Sequence, residues 1–141
     1  MNGQSPFAVK GIDHVVLRVR DPVAMQAFYC QVLGCTVERC QDALGLLQLR
    51  AGASLIDLVD VAGELGRRGG EAPQPRAQNM DHLCLRVEPF DRATLEAHLR
   101  AHGVPPGAYG SRYGAQGEGP SLYLVDPEGN NVELKGPPGP A

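Results

Sequence analysis

Short runs of alternating apolar and polar residues recur along this chain and predict β-strands. Residues 13–19 read Asp-His-Val-Val-Leu-Arg-Val and residues 81–87 read Asp-His-Leu-Cys-Leu-Arg-Val, so five of seven positions are identical at an offset of 68 residues. With each residue type at about 5–10% usage, identity at five given positions of two windows arises by chance on the order of once in a million. The chain therefore contains an internal repeat, and a repeat constrains the fold more strongly than any single element does.

A helix is predicted after each copy of the repeated strand. In the first half, Asp21-Pro22 precedes a helix predicted over residues 23–33, and Gly34 ends it. In the second half, Asp91 precedes a helix predicted over residues 92–102. Apolar residues at four-residue spacing support both helices, namely Ala24, Phe28 and Val32 in the first and Leu95 and Leu99 in the second.

Three further strands are predicted after each helix, so each half reads as strand, helix and three strands. The predicted strands span residues 36–39, 46–50, 54–59, about 109–112, 121–125 and 131–135. We therefore predict an α+β fold, with residues 1–141 forming one domain of two tandem βαβββ modules, about 11–61 and 80–136. A loop rich in Gly, Pro and Arg, residues 62–79, joins the modules, and a second Gly-rich loop, residues 105–120, is predicted to cover a pocket.

Composition excludes several classes of function. A net charge of -3 over 141 residues and a pI near 5.8 give no basic surface for nucleic acid or for an acidic membrane. The N-terminal residues lack the basic and apolar regions of a secretory leader, and the four cysteines show no CxxC spacing. We therefore predict a cytoplasmic protein with reduced cysteines and no nucleic-acid or membrane partner.

Strand alternation predicts a cluster of metal-ligating residues. His14 and His82 occupy equivalent positions of the repeated strand, on the face opposite the apolar residues that pack on the helices. In the last strand of each half a carboxylate, Asp57 or Glu133, stands between two apolar residues. If those apolar neighbours face the helices, both carboxylates share the face of the histidines, and pairing the halves about a pseudo-twofold axis would gather all four.

Two imidazoles and two carboxylates favour Zn, Fe, Mn, Co or Ni over Mg or Ca. Such a metal acts as a Lewis acid on a carbonyl oxygen, and a carboxylate that leaves the metal can act as general base. We therefore name Glu133 and Asp57 as candidate catalytic residues. The alternative interpretation is that each histidine is a hydrogen-bonded structural residue of its strand.

Four segments together resemble the vicinal oxygen chelate superfamily, which includes glyoxalase I, type I extradiol dioxygenases, fosfomycin-resistance enzymes and bleomycin-resistance proteins. The segments read Ile-Asp-His-Val-Val-Leu at 12–17, Ala-Phe-Tyr-Cys-Gln-Val-Leu-Gly at 27–34, Asp-His-Leu at 81–83 and Tyr-Leu-Val-Asp-Pro-Glu-Gly-Asn-Asn-Val-Glu at 123–133. The resemblance spans residues 11–136 and implies paired modules forming a half-open mixed β-barrel around a metal site, with the helices outside. It places the usual ligands on His14, His82 and Glu133. A fourth falls on Asp57, where glyoxalase-like members more usually have Glu.

The resemblance implies a small-molecule substrate, a homodimer and one of three functions. The first is a divalent-metal-dependent lyase or isomerase of glyoxalase type, acting on a small oxygen-chelating carbonyl or hydroxy-carbonyl compound. The second is an Fe(II) extradiol-type dioxygenase, which would not need Asp57. The third is a non-catalytic protein that binds a drug or metabolite. Ser121 and Tyr123 resemble the pattern of the fosfomycin enzymes, although the chain ends before the basic residue that follows their final ligand.

Two arginines, Arg18 and Arg86, share the metal-side face by alternation. They either hold an anionic substrate or extend to the rim of the site. Arg112, in the second Gly-rich loop, either contacts ligand or points to solvent. His98 and His102 are interpreted as exposed residues of the second helix.

Overall fold

The computed structural model describes residues 5–139 and contains two modules of the same topology. Each module has a first strand, a helical segment and three further strands. The first module contains β1 (His14–Val19), α1 (Pro22–Ala27), β2 (Thr36–Gln41), β3 (Leu46–Ala51) and β4 (Ser54–Asp60). The second contains β5 (His82–Arg86), α2 (Arg92–Ala101), β6 (Tyr109–Gly114), β7 (Gly117–Val125) and β8 (Asn131–Lys135).

The strands form two four-stranded mixed sheets with orders β1-β4-β3-β2 and β5-β8-β7-β6. In each sheet the first strand runs parallel to the last strand of its module, and all other pairs are antiparallel. Neither sheet closes on itself, so each module is an open half of a barrel. The predicted α+β fold of tandem βαβββ modules is confirmed.

The helical segment of the first module begins as predicted and continues differently. Asp21 caps it by accepting a hydrogen bond from the backbone N–H of Ala24 at 3.0 Å. The α-helix ends at Ala27, and Phe28–Val32 form a π-helical turn, so the continuous helix predicted over residues 23–33 was wrong in its second half. A π turn needs hydrogen bonds of i to i+5 spacing, which apolar periodicity does not reveal.

The strand predicted at about 109–112 is confirmed, but the covering loop predicted over residues 105–120 was wrong, because most of that segment is a hairpin. Residues 109–114 and 117–125 form a β-hairpin that runs from the Tyr109–Leu122 pair to the Gly114–Gly117 pair. Glycine has low strand propensity, so the pattern of β6 was weak, and the partner strand stabilises it through backbone hydrogen bonds. The hairpin carries Arg112 on β6 and Ser121 and Tyr123 on β7.

Both modules share one hydrophobic core. Buried Leu17 and Val19 of β1 and buried Val132 and Leu134 of β8 belong to the same cluster, as strand alternation predicted. The phenol of Tyr29 donates a 2.9 Å hydrogen bond to Asp126 and thereby ties the first module to the β7–β8 turn. Within residues 5–139, no helix has the length and apolar character that crossing a membrane requires.

Candidate metal centre

The first module places His14 and Asp57 on the open face of its sheet. Asp57 lies directly opposite Val16 in the β1–β4 register, and alternation puts His14, two residues earlier, on the same face. Asp57 is only 4% exposed and accepts hydrogen bonds of 3.3 and 3.2 Å from the side-chain amide of Gln48. A hydrogen bond to Asp13 raises the pKa of His14; partial burial opposes that effect and the nearby charge of Asp57 supports it.

The second module repeats this pair with a tighter set of contacts. His82 Nε2 lies 3.3 Å from Oε1 of the buried Glu133. Ser121 donates to Oε2 at 2.5 Å and Tyr123 donates to Oε1 at 2.9 Å. Burial raises the pKa of Glu133, but hydrogen bonds from Ser121 and Tyr123 outweigh burial, with help from the charges of His82 and Lys135. The net pKa lies below its usual value.

Each histidine is oriented by the aspartate that precedes it in the chain. His14 Nδ1 lies 2.6 Å from Asp13, and His82 Nδ1 lies 2.7 Å from Asp81. A carboxylate on Nδ1 leaves Nε2 as the free donor atom, which is the usual arrangement of a metal-ligating histidine. The repeated Asp-His dipeptide was visible in the sequence, but the role of its aspartate was not predicted.

The two pairs do not meet within one chain. In residues 5–139, no three or more His, Cys, Asp or Glu side chains come close enough to hold a metal ion together. The structure thus brings His14 to Asp57 and His82 to Glu133, and leaves two half-sites with two donors each. Stable sites for transition metals use four or more donors, so a metal ion bound at either half-site would need donors from a second one.

The donor set of the half-sites fits a divalent transition metal. Each offers one imidazole nitrogen held in a fixed orientation and one carboxylate buried in an apolar strand. A buried carboxylate is costly unless hydrogen bonds, charges or a metal stabilise it. Of the two, Asp57 has the weaker stabilisation inside the chain, because the amide of Gln48 is its only side-chain partner among the described residues.

Other chemically reactive or charged side chains singled out by the sequence have separate surroundings. Cys84 lies opposite Glu133 in the β5–β8 register, and burial raises the pKa of its thiol to about 11, so it is not a thiolate at neutral pH. Arg18 is held by the backbone carbonyls of Gly66, Gly70 and Glu71, so it stabilises the linker. His98 lies on α2 and His102 is the C-cap residue of that helix, and His98 contacts the carbonyl of Val32 at 2.7 Å.

Comparison with known proteins agrees with this architecture. The model of the Glyoxalase/Bleomycin resistance protein/Dioxygenase superfamily matches residues 11–134. A glyoxalase domain-containing protein, RDO1 of Mycosarcoma maydis, is 31% identical over 133 residues, which cover 93% of this chain and 70% of that protein. The chain belongs to this superfamily.

Solved structures show the same fold. Virulence protein STM3117 from Salmonella typhimurium superposes with a TM-score of 0.77 at 25% identity, covering 94% of this chain and 100% of that one. Lactoylglutathione lyase from Agrobacterium tumefaciens superposes with a TM-score of 0.64 at 24% identity, covering 91% and 94% of the two chains. The superfamily contains enzymes and non-catalytic binding proteins, so the activity of this chain must be argued from its own residues.

Proposed function

We propose that this protein is a divalent-metal-dependent enzyme of the lyase or isomerase type that acts on a small oxygen-chelating carbonyl or hydroxy-carbonyl substrate. The observation that carries this proposal is the pair of equivalent half-sites, each with one oriented imidazole and one buried carboxylate. The four ligands are His14, Asp57, His82 and Glu133, and Zn, Ni, Co, Mn or Fe is the metal class.

The complete centre requires two copies of the chain. The half-site of one copy faces that of its partner, so that His14 and Asp57 of one chain meet His82 and Glu133 of the other. The exposed apolar surface supports this arrangement, because Val16, directly opposite Asp57, is 49% exposed on the open face. A closed twofold dimer would bury that surface twice and build two identical centres.

The two carboxylates have different roles in this proposal. Ser121 and Tyr123 hold both oxygens of Glu133, so Glu133 stays ionised and fixed as a ligand. Asp57 accepts only the long amide hydrogen bonds of Gln48, so it is freer to leave the metal and take a proton from the substrate. When bound, the metal supplies Lewis-acid stabilisation of the negative charge that develops on a substrate oxygen.

Metal content tests the proposal directly. Untagged protein is compared with His82→Ala, with Asp57→Ala and with the control His102→Ala on the outer helix. We expect about one divalent ion per chain in the wild type and in His102→Ala, and loss of the ion in His82→Ala. Loss in Asp57→Ala as well supports the four-ligand enzyme, whereas retention there favours the three-ligand dioxygenase chemistry. A wild type that binds none of Zn, Ni, Co, Mn or Fe(II) contradicts the proposal and favours a non-catalytic binding protein.

Mixing two inactive variants tests the assembly. His14→Ala and His82→Ala chains are unfolded together, refolded as a mixture and loaded with metal. If two copies share each centre, one of the two centres in a mixed dimer has all four ligands, and random mixing restores about a quarter of the sites. If each chain closed its own centre, the mixture would bind no more metal than the separate variants.

A further inference from the structure

A buried lysine lies beside the second half-site. Lys135 is 8% exposed and follows Glu133 by two positions on β8, so both side chains lie on the open face of the sheet. Its ammonium donates hydrogen bonds to the backbone carbonyls of Arg112 and Gly119 at 2.5 and 3.2 Å. An ammonium has three N–H donors, so one remains without a partner among the described residues.

The β6–β7 hairpin makes room for a second cation. Arg112 lies opposite Gly119, on the same face as Ser121 and Tyr123, and its guanidinium is 5.9 Å from the centre of the Tyr123 ring. The guanidinium folds back over Gly110, where an added Cβ would lie 2.5 Å from Nη1. Within residues 5–139 this guanidinium donates to the carbonyl of Ser111 and also interacts with the hydroxyl of Tyr123, which leaves several of its five donors free.

Gly114 packs against the side chain of Lys135. An added Cβ at Gly114 would lie 2.5 Å from Cε of Lys135. The open face of β6 thus carries glycine, arginine and glycine at positions 110, 112 and 114. The two glycines leave space that the arginine and lysine side chains fill, so both cations lie against the hairpin, with Arg112 beside Tyr123 and the Lys135 ammonium on the carbonyls of Arg112 and Gly119.

Comparison of the two modules shows that the fold does not require a lysine at the position of Lys135. Arg86 on β5 lies opposite Lys135, and its counterpart in the first module, Arg18, lies opposite Val59. The guanidinium of Arg18 donates to three carbonyls of the linker, whereas the guanidinium of Arg86 makes no hydrogen bond or ion pair with any residue that the structure describes. A valine therefore serves at the position of Lys135 in the other module, and the surplus of cations is particular to the second.

The carboxylates nearby are already engaged. Glu133 is held by Ser121 and Tyr123, Asp81 contacts His82, and Glu118 accepts a 2.7 Å hydrogen bond from Ser111. Among residues 5–139, neither Lys135, Arg86 nor Arg112 forms a salt bridge. Arg86, Arg112 and Lys135 thus place three positive charges near the candidate metal ligand Glu133. The resulting positive field would be balanced by an anion of two charges.

We propose that Arg86, Arg112 and Lys135 form an anion pocket that holds a dianionic oxyanion group, phosphate in class, on the substrate of the neighbouring centre. This inference rests on the proposed function for its assignment to the substrate, but the pocket itself consists of residues of the second module and needs no metal. The substrate is then a small chelating compound with an anionic head group on the side of the β6–β7 hairpin. The guanidinium groups supply paired donors, and Lys135 supplies a fixed charge at the base of the pocket.

Binding of inorganic phosphate tests the pocket. The full chain, as purified and after removal of metal, is titrated with phosphate in a phosphate-free buffer of low ionic strength, and the dissociation constant is measured by calorimetry. We expect saturable binding in both forms. Arg112→Gln and Arg86→Gln should each weaken it roughly tenfold, because each removes charge-assisted hydrogen bonds. The matched control is Arg100→Gln, which removes the same charge from the outer face of α2.

The variants differ in how strongly each substitution should affect the stability of the fold. Arg86 and Arg112 are exposed, so their replacement leaves the fold intact, whereas Lys135→Met also removes hydrogen bonds to two buried carbonyls and is checked by thermal unfolding. Addition of phosphate should raise the melting temperature of the wild type and of Arg100→Gln, but raise that of Arg112→Gln less.

Each outcome decides a separate point. Equal phosphate affinity in Arg112→Gln and Arg100→Gln, or no saturable binding in the wild type, overturns the inference even if the protein binds metal. Acetate binding as tightly as phosphate at matched ionic strength overturns the dianion assignment. Phosphate binding in a protein that binds none of the candidate metals supports the pocket and contradicts the metal-dependent function.

Discussion

The hydrogen bond between Ser121 and Glu133 offers a sharp test of how the second half-site is built. Ser121 is fully buried, and its hydroxyl donates to Oε2 of Glu133 at 2.5 Å. Ser121→Ala removes this donor from the buried carboxylate of Glu133. A hydrogen bond to a buried charged group contributes about 1.5–3 kcal/mol, so the metal-free variant should unfold with a free energy lower by about that amount.

The same hairpin provides a matched control. Ser111 donates to Oε2 of Glu118 at 2.7 Å, but this pair is exposed to solvent. Water replaces the lost partner there, so Ser111→Ala should change stability by less than about 0.5 kcal/mol. Both variants are measured by urea unfolding at pH 7, where the midpoint should change and the slope should not. Equal effects of the two substitutions would refute the argument that burial of Glu133 makes its hydrogen bonds important.

Acid should remove the difference between wild type and Ser121→Ala. The folded-state pKa of Glu133 lies below the ordinary value of 4.5, because hydrogen bonds to Ser121 and Tyr123 outweigh the effect of burial. The stabilisation by the ionised form is therefore fully present above the unfolded pKa and is lost as the pH falls through the folded pKa. In metal-free protein, the stability difference should be constant between pH 7 and about pH 5.5 and shrink below about pH 4.5. A difference that grows with acid would contradict this sign.

Two further substitutions test a hydrogen bond between the modules and the close packing of the linker. Tyr29→Phe removes the buried 2.9 Å hydrogen bond to Asp126 between the modules and should cost about 1.5–3 kcal/mol in urea unfolding. Tyr113→Phe, at an 80% exposed position, should leave the free energy of unfolding almost unchanged. Gly66→Ala places a Cβ 1.9 Å from a backbone carbonyl oxygen, so it should destabilise the protein by about 1–3 kcal/mol and speed proteolysis of the 62–79 linker. Gly11→Ala meets no atom within 4 Å and serves as its control, so proteolysis of the linker at equal rates in both variants would contradict the steric argument.

The module architecture could be predicted from sequence because its signals are local. The repeated Asp-His strand revealed the duplication, and Asp91 marked the start of α2 through a side-chain cap that the structure confirms. The strand over residues 131–135 was predicted with its observed bounds, since alternation has a period of two and leaves little freedom. Alternation also placed His14 and Asp57 on one face, and the strand register confirms that arrangement.

Local signals failed where backbone pairing or hydrogen bonding overrides propensity. β6 contains glycines at positions 110 and 114 and depends on β7 for its hydrogen bonds, so its pattern predicted only a short, weak strand at about 109–112 within a loop. The π turn of residues 28–32 changes the hydrogen-bond spacing without changing the apolar pattern. The partners of Glu133 are ten and twelve residues away along the chain, and only the β7–β8 register brings Ser121 and Tyr123 to its two oxygens.

Periodicity along the chain thus defined which residues face which side of each sheet, because that face depends only on position within a strand. Periodicity could not define the distance between the open face of one sheet and that of the other, since that distance depends on how the modules pack through their shared core. The tertiary structure separates His14 and Asp57 from His82 and Glu133, which alternation alone had allowed to converge in one chain. For the same reason only tertiary contacts connect the three cations, since Lys135 pairs with Arg86 across β5 and β8 and its ammonium reaches the backbone carbonyl of Arg112 on β6.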